Sequence, residues 1–411
     1  MNHWKKNIQL ISTKFHSMNV TYLHRKEFRT WMAYLSCSFG SFEPGFPEGS
    51  AHFLEHRLFS IHGEEATALF SDLGADINAF TSRRVMGFYF STLRNPYQCL
   101  QLLIDLVLEQ REFDIEAIEN ERKIIESEIL MVEDEPFTMG YQNLLEQLYW
   151  DHPIRVKIAG TKDSILKVNS KILKQIHTTF FTPSSCRLFV CGDEEPEDFL
   201  SNLNKKVKNN HWNPLNIIKP TYFYDEPMTI KTNFSELKIP ISKDLFFMGI
   251  KTRKKQFHLI DSLIGEFICH ILFGSISSFI DYLYEKKLID DTFYFSYDMD
   301  LDFGYLILSG YTSASTKLKK EINDEINRRL KTGITQEEFD LIKNYYLSSS
   351  YMMIDKPNDL MMQIANLSWL ENSTWEDYLV AIKKLDLEKI NQELPLFLSL
   401  ENSAVTLIHP I

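Results

Sequence analysis

His52, Glu55 and His56 stand at a spacing suited to metal-assisted hydrolysis. On a helix, residues four apart lie about 40° from each other around the axis, so both imidazoles can face one ion. Glu55 falls on the same side, close enough to act on a metal-bound water without taking a ligand position. The order H-x-x-E-H inverts the H-E-x-x-H pattern of zinc hydrolases. Two imidazoles do not hold a catalytic zinc alone: a third protein ligand is required, with water in the fourth place. The stretch Glu121 to Glu128 can supply it. Glu121 and Glu128 are two helical turns apart and share a face, whereas Glu126 points elsewhere. One of the pair can bind metal while the other orients a histidine.

Both clusters therefore need helices, and the sequence around them provides the signals. Strands are predicted over Val20–Leu23 and Trp31–Cys37, followed by a Gly- and Pro-rich loop, with Ser50 as N-cap of the helix bearing the histidines. A second helix is expected from Glu64 to Leu73, stopping at Gly74. Asp76–Phe80 and Gly87–Thr92 read as paired strands. A long helical stretch from Tyr97 to Glu135, interrupted near Glu112 to Ile115, carries the glutamates. Arg187–Cys191 reads as a buried strand. The second half repeats the style, with strands over Leu237–Ile241 and Leu245–Lys251, a helix over Ser262–Leu272, a hairpin of Phe293–Ser296 against Gly304–Ser309, and helices over Lys317–Leu330 and Glu337–Met353. This mixture of antiparallel strands and long helices is α+β.

A chain of 411 residues exceeds one ordinary core, and two domains are expected: 1–205, a linker at 206–225, and 226–411. A net charge of −12 argues against nucleic acid as a partner, because phosphate binding needs basic patches. No run of about 18 uncharged apolar residues occurs, so no membrane span is expected. The N-terminus lacks the apolar segment of a secretory signal. The five cysteines are odd in number and never form C-x-x-C, which reads as reduced core thiols in a cytoplasmic protein. His270 beside Cys269 reads as a core residue.

Taken together, these stretches resemble the pitrilysin/insulinase metallopeptidases, or inverzincins, most closely the small bacterial processing peptidases. In that family H-x-x-E-H is followed about 70 to 80 residues later by a glutamate ligand, with another glutamate seven residues before it. Glu128 and Glu121 stand at those places. Gly49-Ser50-Ala51, Leu58-Phe59, Gly74 to Ser82, Met131 to Pro136, His152-Pro153 and Ala159-Gly160-Thr161 are similar to further landmarks. The resemblance implies His52, His56 and Glu128 as ligands of Zn2+, Glu55 as general base and Glu121 as support for a ligand. It implies that Asn78, Ala79 and Phe80 lie on an edge strand that pairs with extended substrate by β-augmentation. The family's second-half arginine and tyrosine clamp is altered here: no arginine appears between Leu283 and Phe293, and Tyr284, standing in that stretch, is the candidate substrate-binding residue, with Lys287 or a partner chain as the alternatives. The implied architecture is two homologous α+β domains forming half of a clamshell chamber, completed in a homodimer or in a heterodimer with an inactive homologue. The implied activity is a zinc endopeptidase acting on unfolded peptides, including a precursor or leader peptide. Two alternatives belong to other classes: a non-catalytic subunit or peptide-binding scaffold, and a zinc hydrolase of non-peptide substrates.

Overall fold

Strand-length runs that alternate between two environments build the first sheet, and helices with one apolar face cover it. The structure, a computed structural model, describes residues 8–61, 63–213, 223–370 and 372–411. Residues 214–222 of the expected linker lie outside the described residues. The backbone divides into two units, Met1–Leu130 with Val156–Thr221 and Lys356–Ala365, and Met131–Arg155 with Tyr222–Asp355 and Asn366–Ile411. The division differs from the contiguous expectation, which kept Met131–Arg155 in the first domain.

In the first unit β1 (Ile8–Phe15), β2 (Met18–Arg25) and β3 (Trp31–Cys37) lead to α1 (Ser50–Leu58). A short pair, β4 (Ser60–Ile61) and β5 (Glu64–Glu65), and then α2 (Ala66–Asp72) connect α1 to the hairpin of β6 (Ala75–Thr81) and β7 (Met86–Thr92). α3 (Pro96–Leu108) and α4 (Ile115–Glu133) follow. α5 (Pro136–Leu148) belongs to the second unit, and α6 (Lys162–Ile165), α7 (Ser170–Phe180), β8 (Cys186–Gly192) and α8 (Pro196–Lys206) return to the first. The sheet order is β1-β2-β8-β3-β7-β6, antiparallel throughout except for the parallel β2/β8 pair. Alternate residues Ala33 and Leu35 of β3 and Phe88 and Phe90 of β7 enter one core with Leu100, Leu103 and Val107 of α3.

Cys37 and Cys186 are register partners on β3 and β8, with Cα atoms 4.2 Å apart, and their sulfurs are bonded. This corrects the reading of all five cysteines as thiols. The pairing joins residues 149 positions apart, so no local spacing announces it. Cys99, Cys191 and Cys269 are buried free thiols.

The second unit runs through β9 (Phe234–Ile239), β10 (Asp244–Lys251), α9 (Leu259–Phe273), α10 (Ser278–Glu285), β11 (Tyr294–Asp300) and β12 (Phe303–Thr312). It continues with α11 (Ser315–Thr332), α12 (Gln336–Met353), α13 (Pro357–Trp369, grouped with the first unit as far as Ala365), α14 (Trp375–Lys384), α15 (Leu387–Phe397) and β13 (Ser403–Pro410). Its sheet order is β11-β12-β10-β13-β9, again with one parallel pair, β13/β9. Read from the other end, this is the path β2-β8-β3-β7-β6 of the first sheet, so the α+β fold is duplicated within the chain. α5 sits on β10 because both surfaces are pared down. A side chain at Gly140 would overlap the Phe247 ring, and Leu144 and Leu148 close over Gly249. Leu259–Glu285 is apolar enough in composition to cross a membrane, but the apolar residues of α9 fill the second core.

Candidate metal centre

α1 has two faces. Phe53, Leu54 and Leu58 are fully buried, each contributing about 1.5–3 kcal/mol, and this fixes the helix's rotation. The opposite face then presents His52, Glu55 and His56, all partly exposed. The helix starts one residue earlier than expected. Gly49 is its N-cap in the left-handed region, φ +84°, and the Ser50 hydroxyl donates instead to the Pro47 carbonyl at 2.6 Å. Only glycine fits there: a Cβ at residue 49 would lie 2.4 Å from the Ala159 carbonyl oxygen. The Ala159-Gly160-Thr161 stretch thus backs the start of α1.

α4 is amphipathic in the same way. Ile118, Arg122, Ile125 and Ile129 point into the core, which turns Glu121 and Glu128 towards α1. Glu126, as expected, points elsewhere and pairs with Lys162. Buried Arg122 fixes the helix. It lies over the Phe53 ring of α1 and donates to the carbonyls of Ile165 and Val168.

The three expected ligands converge. One ligand atom from each of His52, His56 and Glu128 lies within 4.8 Å of the others. A Glu128 carboxylate oxygen is 3.5 Å from His56 Nε2 and 4.0 Å from His52 Nε2. His56 Nδ1 bonds Glu121 Oε1 at 3.0 Å, and Arg57 donates to the other Glu121 oxygen at 3.0 Å. Glu121 therefore directs His56 Nε2 towards Glu128, and Arg57 fixes Glu121. Burial, and then the charge of His56, push the His52 imidazole down to about 4, leaving it neutral with a lone pair for a metal. Burial alone would lower His56 too, but its bond to Glu121 and the charge of Glu128 raise it above its ordinary value. Glu121 is held below the ordinary carboxylate range, first by His56. Two imidazole nitrogens and one carboxylate oxygen, half-buried and mutually close, fit zinc in a three-ligand site with an open position. Among the described residues this is the one such cluster of histidine, cysteine and carboxylate groups.

Glu55 lies beside this cluster. Burial pushes its carboxyl above the ordinary range, opposed by a hydrogen bond from the Thr81 hydroxyl at 2.5 Å. Asn78, Ala79 and Phe80 lie on β6, the last strand of the sheet. The Ala79 N–H is bonded to Asn78 Oδ1 at 2.8 Å, outside the ladder with β7. The Phe80 ring stacks on Tyr34 and packs the sheet. Tyr284 is exposed on α10 in the second unit. His270 rests among Phe295, Tyr345 and Tyr346. The sequence reading missed Arg57, Thr81 and Arg122. Strand parity alone could have singled out Thr81, since it shares a face with Ala79.

Two family descriptions match the chain: Insulinase (Peptidase family M16) over residues 31–162 and Peptidase M16 inactive domain over 167–346. A protein of Bacillus subtilis (strain 168), described as the uncharacterized zinc protease YmfH, is 28% identical over 405 residues, 93% of each chain. A crystal structure of a protease from Helicobacter pylori superposes with a TM-score of 0.86 at 18% identity, covering 98% of this chain and all of that one. The pitrilysin structure gives a TM-score of 0.74 at 16% identity, with 98% of this chain matching 45% of pitrilysin. These two likenesses are of fold.

Proposed function

The chain belongs to peptidase family M16, and from that premise we propose that it is a zinc-dependent endopeptidase cleaving extended, unfolded peptides. One observation carries the reading: His52, His56 and Glu128 converge within 4.8 Å while Glu55 stands on the same face of α1. Zinc held by these three residues supplies Lewis acidity to a peptide carbonyl and to water. Glu55 accepts the proton of the attacking water, favoured by its raised affinity for protons, and delivers it to the leaving amine. Glu121 keeps the His56 proton on Nδ1. An extended substrate lies along β6 and replaces the Asn78 side chain at the Ala79 N–H. Recognition through backbone groups suits many sequences provided they are unfolded, and precursor or leader peptides are the class we favour. A dimer, either of identical chains or with an inactive homologue, is part of the proposal, supported by a 26%-identical relative whose name makes it a subunit.

The description of residues 167–346 as an inactive domain supports a second reading, a non-catalytic subunit. Metal analysis and cleavage of a quenched basic peptide separate the two. The proposal expects one zinc per chain, cleavage abolished by chelator and restored by zinc, and loss of both metal and cleavage in His52→Ala. Stoichiometric zinc without cleavage, with and without an added homologue, leaves the non-catalytic reading.

A further inference from the structure

We infer that Thr81 is a positioning residue for Glu55, fixing one carboxylate oxygen so that the other is free to take the proton. The inference rests on the reading of Glu55 as general base. Thr81 Oγ1 donates to Glu55 Oε2 at 2.5 Å, and among the described residues this is the one hydrogen bond that Glu55 makes through its side chain. The two oxygens thus differ: Oε2 is tied to the sheet, and Oε1 has no partner among the described residues. A carboxylate on a half-exposed helix face rotates about three side-chain bonds, and one short contact with a fixed donor removes most of that freedom.

The donor is fixed for reasons visible in the strand. Threonine branches at Cβ and has few side-chain rotamers on a pleated sheet. Thr81 is the last residue of β6, in register with Met86 of β7. The turn that follows is closed by Ser82, whose N–H donates to the Val85 carbonyl at 2.8 Å and whose hydroxyl donates to the same oxygen at 2.7 Å. The neighbouring loop ties to this hairpin as well, with the Ser41 and Phe42 N–H groups donating to the Ser82 and Arg83 carbonyls. Thr81 shares strand parity with Ile77 and Ala79, which pack on the core beside α1, so its hydroxyl is delivered to the face where Glu55 stands. The strand offered to substrate and the strand that sets the base are therefore the same: pairing of a peptide along β6 aligns the carboxylate with the bond to be cut.

Thr81→Val keeps the shape of the side chain and removes the donor; Thr81→Ser keeps the donor. We expect Thr81→Val to lose about 10- to 100-fold in kcat, with KM and zinc affinity changed less than about twofold, and Thr81→Ser to recover most of the loss. Crystal structures of the zinc-loaded variants give a readout independent of turnover. In Thr81→Val the Glu55 carboxylate should leave its position while His52, His56 and Glu128 stay in place, and in Thr81→Ser it should return. An unmoved Glu55 in Thr81→Val overturns the inference, as does a valine variant with unchanged kcat or a serine variant that recovers nothing. If the unmutated protein cuts no peptide, the proposed function fails, and the Glu55 position in the two variants still decides the role of Thr81.

Discussion

The two units follow one chain path, yet among the described residues only the first brings histidine and carboxylate groups close enough together to hold a metal ion. α1 follows the central strand β3, and α9 follows its counterpart β10. Each helix carries polar residues four apart: His52 and His56 on α1, and Ser262, Glu266 and His270 on α9. The difference lies in the helix opposite. α4 presents Glu121, bonded to His56 Nδ1, and Glu128, whose carboxylate lies near both imidazoles. α12 presents Tyr345 and Tyr346. Tyr346 and Ser262 hydrogen-bond Glu266, burial raises that carboxyl towards its neutral form, and the His270 ring packs against Tyr345 and Tyr346. The same path thus carries a cluster of histidine and carboxylate groups in one unit and a packed polar and aromatic core in the other, according to the residues on both facing helices.

The largest expected contrast tests that statement directly. Glu55→Gln should retain stoichiometric zinc and lower peptide turnover by about 100-fold or more, the scale of a lost general base. Glu266→Gln, on the counterpart helix, should leave kcat within about twofold. Turnover and metal content of both proteins decide it: a Glu55→Gln enzyme that still cleaves, or a Glu266→Gln enzyme that does not, breaks the contrast.

Next in size is the support behind the ligands. Glu121→Ala removes the acceptor from His56 Nδ1 and leaves Arg57 without its partner. Zinc affinity should weaken about 10- to 100-fold, while Tyr346→Phe should leave it unchanged. Competition with a chelating dye measures both. Equal affinities in Glu121→Ala and the unmutated protein would show that α4 does not orient the site through this residue.

These contrasts also mark what the sequence could and could not disclose. The rotation of α1 and α4 was readable because helical periodicity is local: residues 52, 55 and 56 share a face whatever else the chain does. The same holds for Glu121 and Glu128. Cys37 to Cys186 and Arg122 to Val168 are meetings set by strand register and helix packing, and neighbouring residues carry no sign of them; strand parity puts Thr81 on the face of Ala79 but does not name Glu55 as its partner. α5 has an obvious apolar face, but nothing in Gly140, Leu144 or Leu148 says which sheet that face covers. Ser50 has the chemistry of an N-cap and lost the position to Gly49, because the backbone of Ala159 comes too close for any side chain. The duplication is plain in strand order and faint in residue identity.

The start of α1 yields a smaller effect. α9 begins with a side-chain cap, Asp261 accepting from the His258 N–H at 2.9 Å, whereas α1 begins on a bare left-handed glycine. Gly49→Ala adds a strained φ and a clash with a backbone carbonyl, for about 1–3 kcal/mol of destabilisation. Denaturant unfolding should register that loss, accompanied by weaker zinc binding because α1 shifts. A variant as stable as the parent would show that the 159–161 backbone yields freely.

The smallest expected effect concerns acid, and it again separates the units. At the α11–α12 junction the buried Arg329 guanidinium donates to Glu325 and Glu338, both at 2.8 Å. Burial opposes the charge on Glu338, but Arg329 and the Thr335 N–H hold its carboxyl below the ordinary range. A lowered value in the folded state means that the ionised form favours folding. That contribution is complete above the unfolded glutamate value of about 4.3 and is lost as pH falls through the folded value. Arg111, after α3 in the first unit, instead donates to the carbonyls of Ser60, Asp105 and Leu106, which do not titrate. Below about pH 4.3, hydrogen-exchange protection, taken relative to intrinsic exchange, should therefore fall at the start of α12 before it falls at the α3–α4 junction. Glu338→Gln, expected to cost about 1 kcal/mol at neutral pH for a partly exposed pair, should flatten that fall. Equal acid sensitivity at both junctions, or an unchanged profile in Glu338→Gln, would place the acid response of the second unit in other carboxylates.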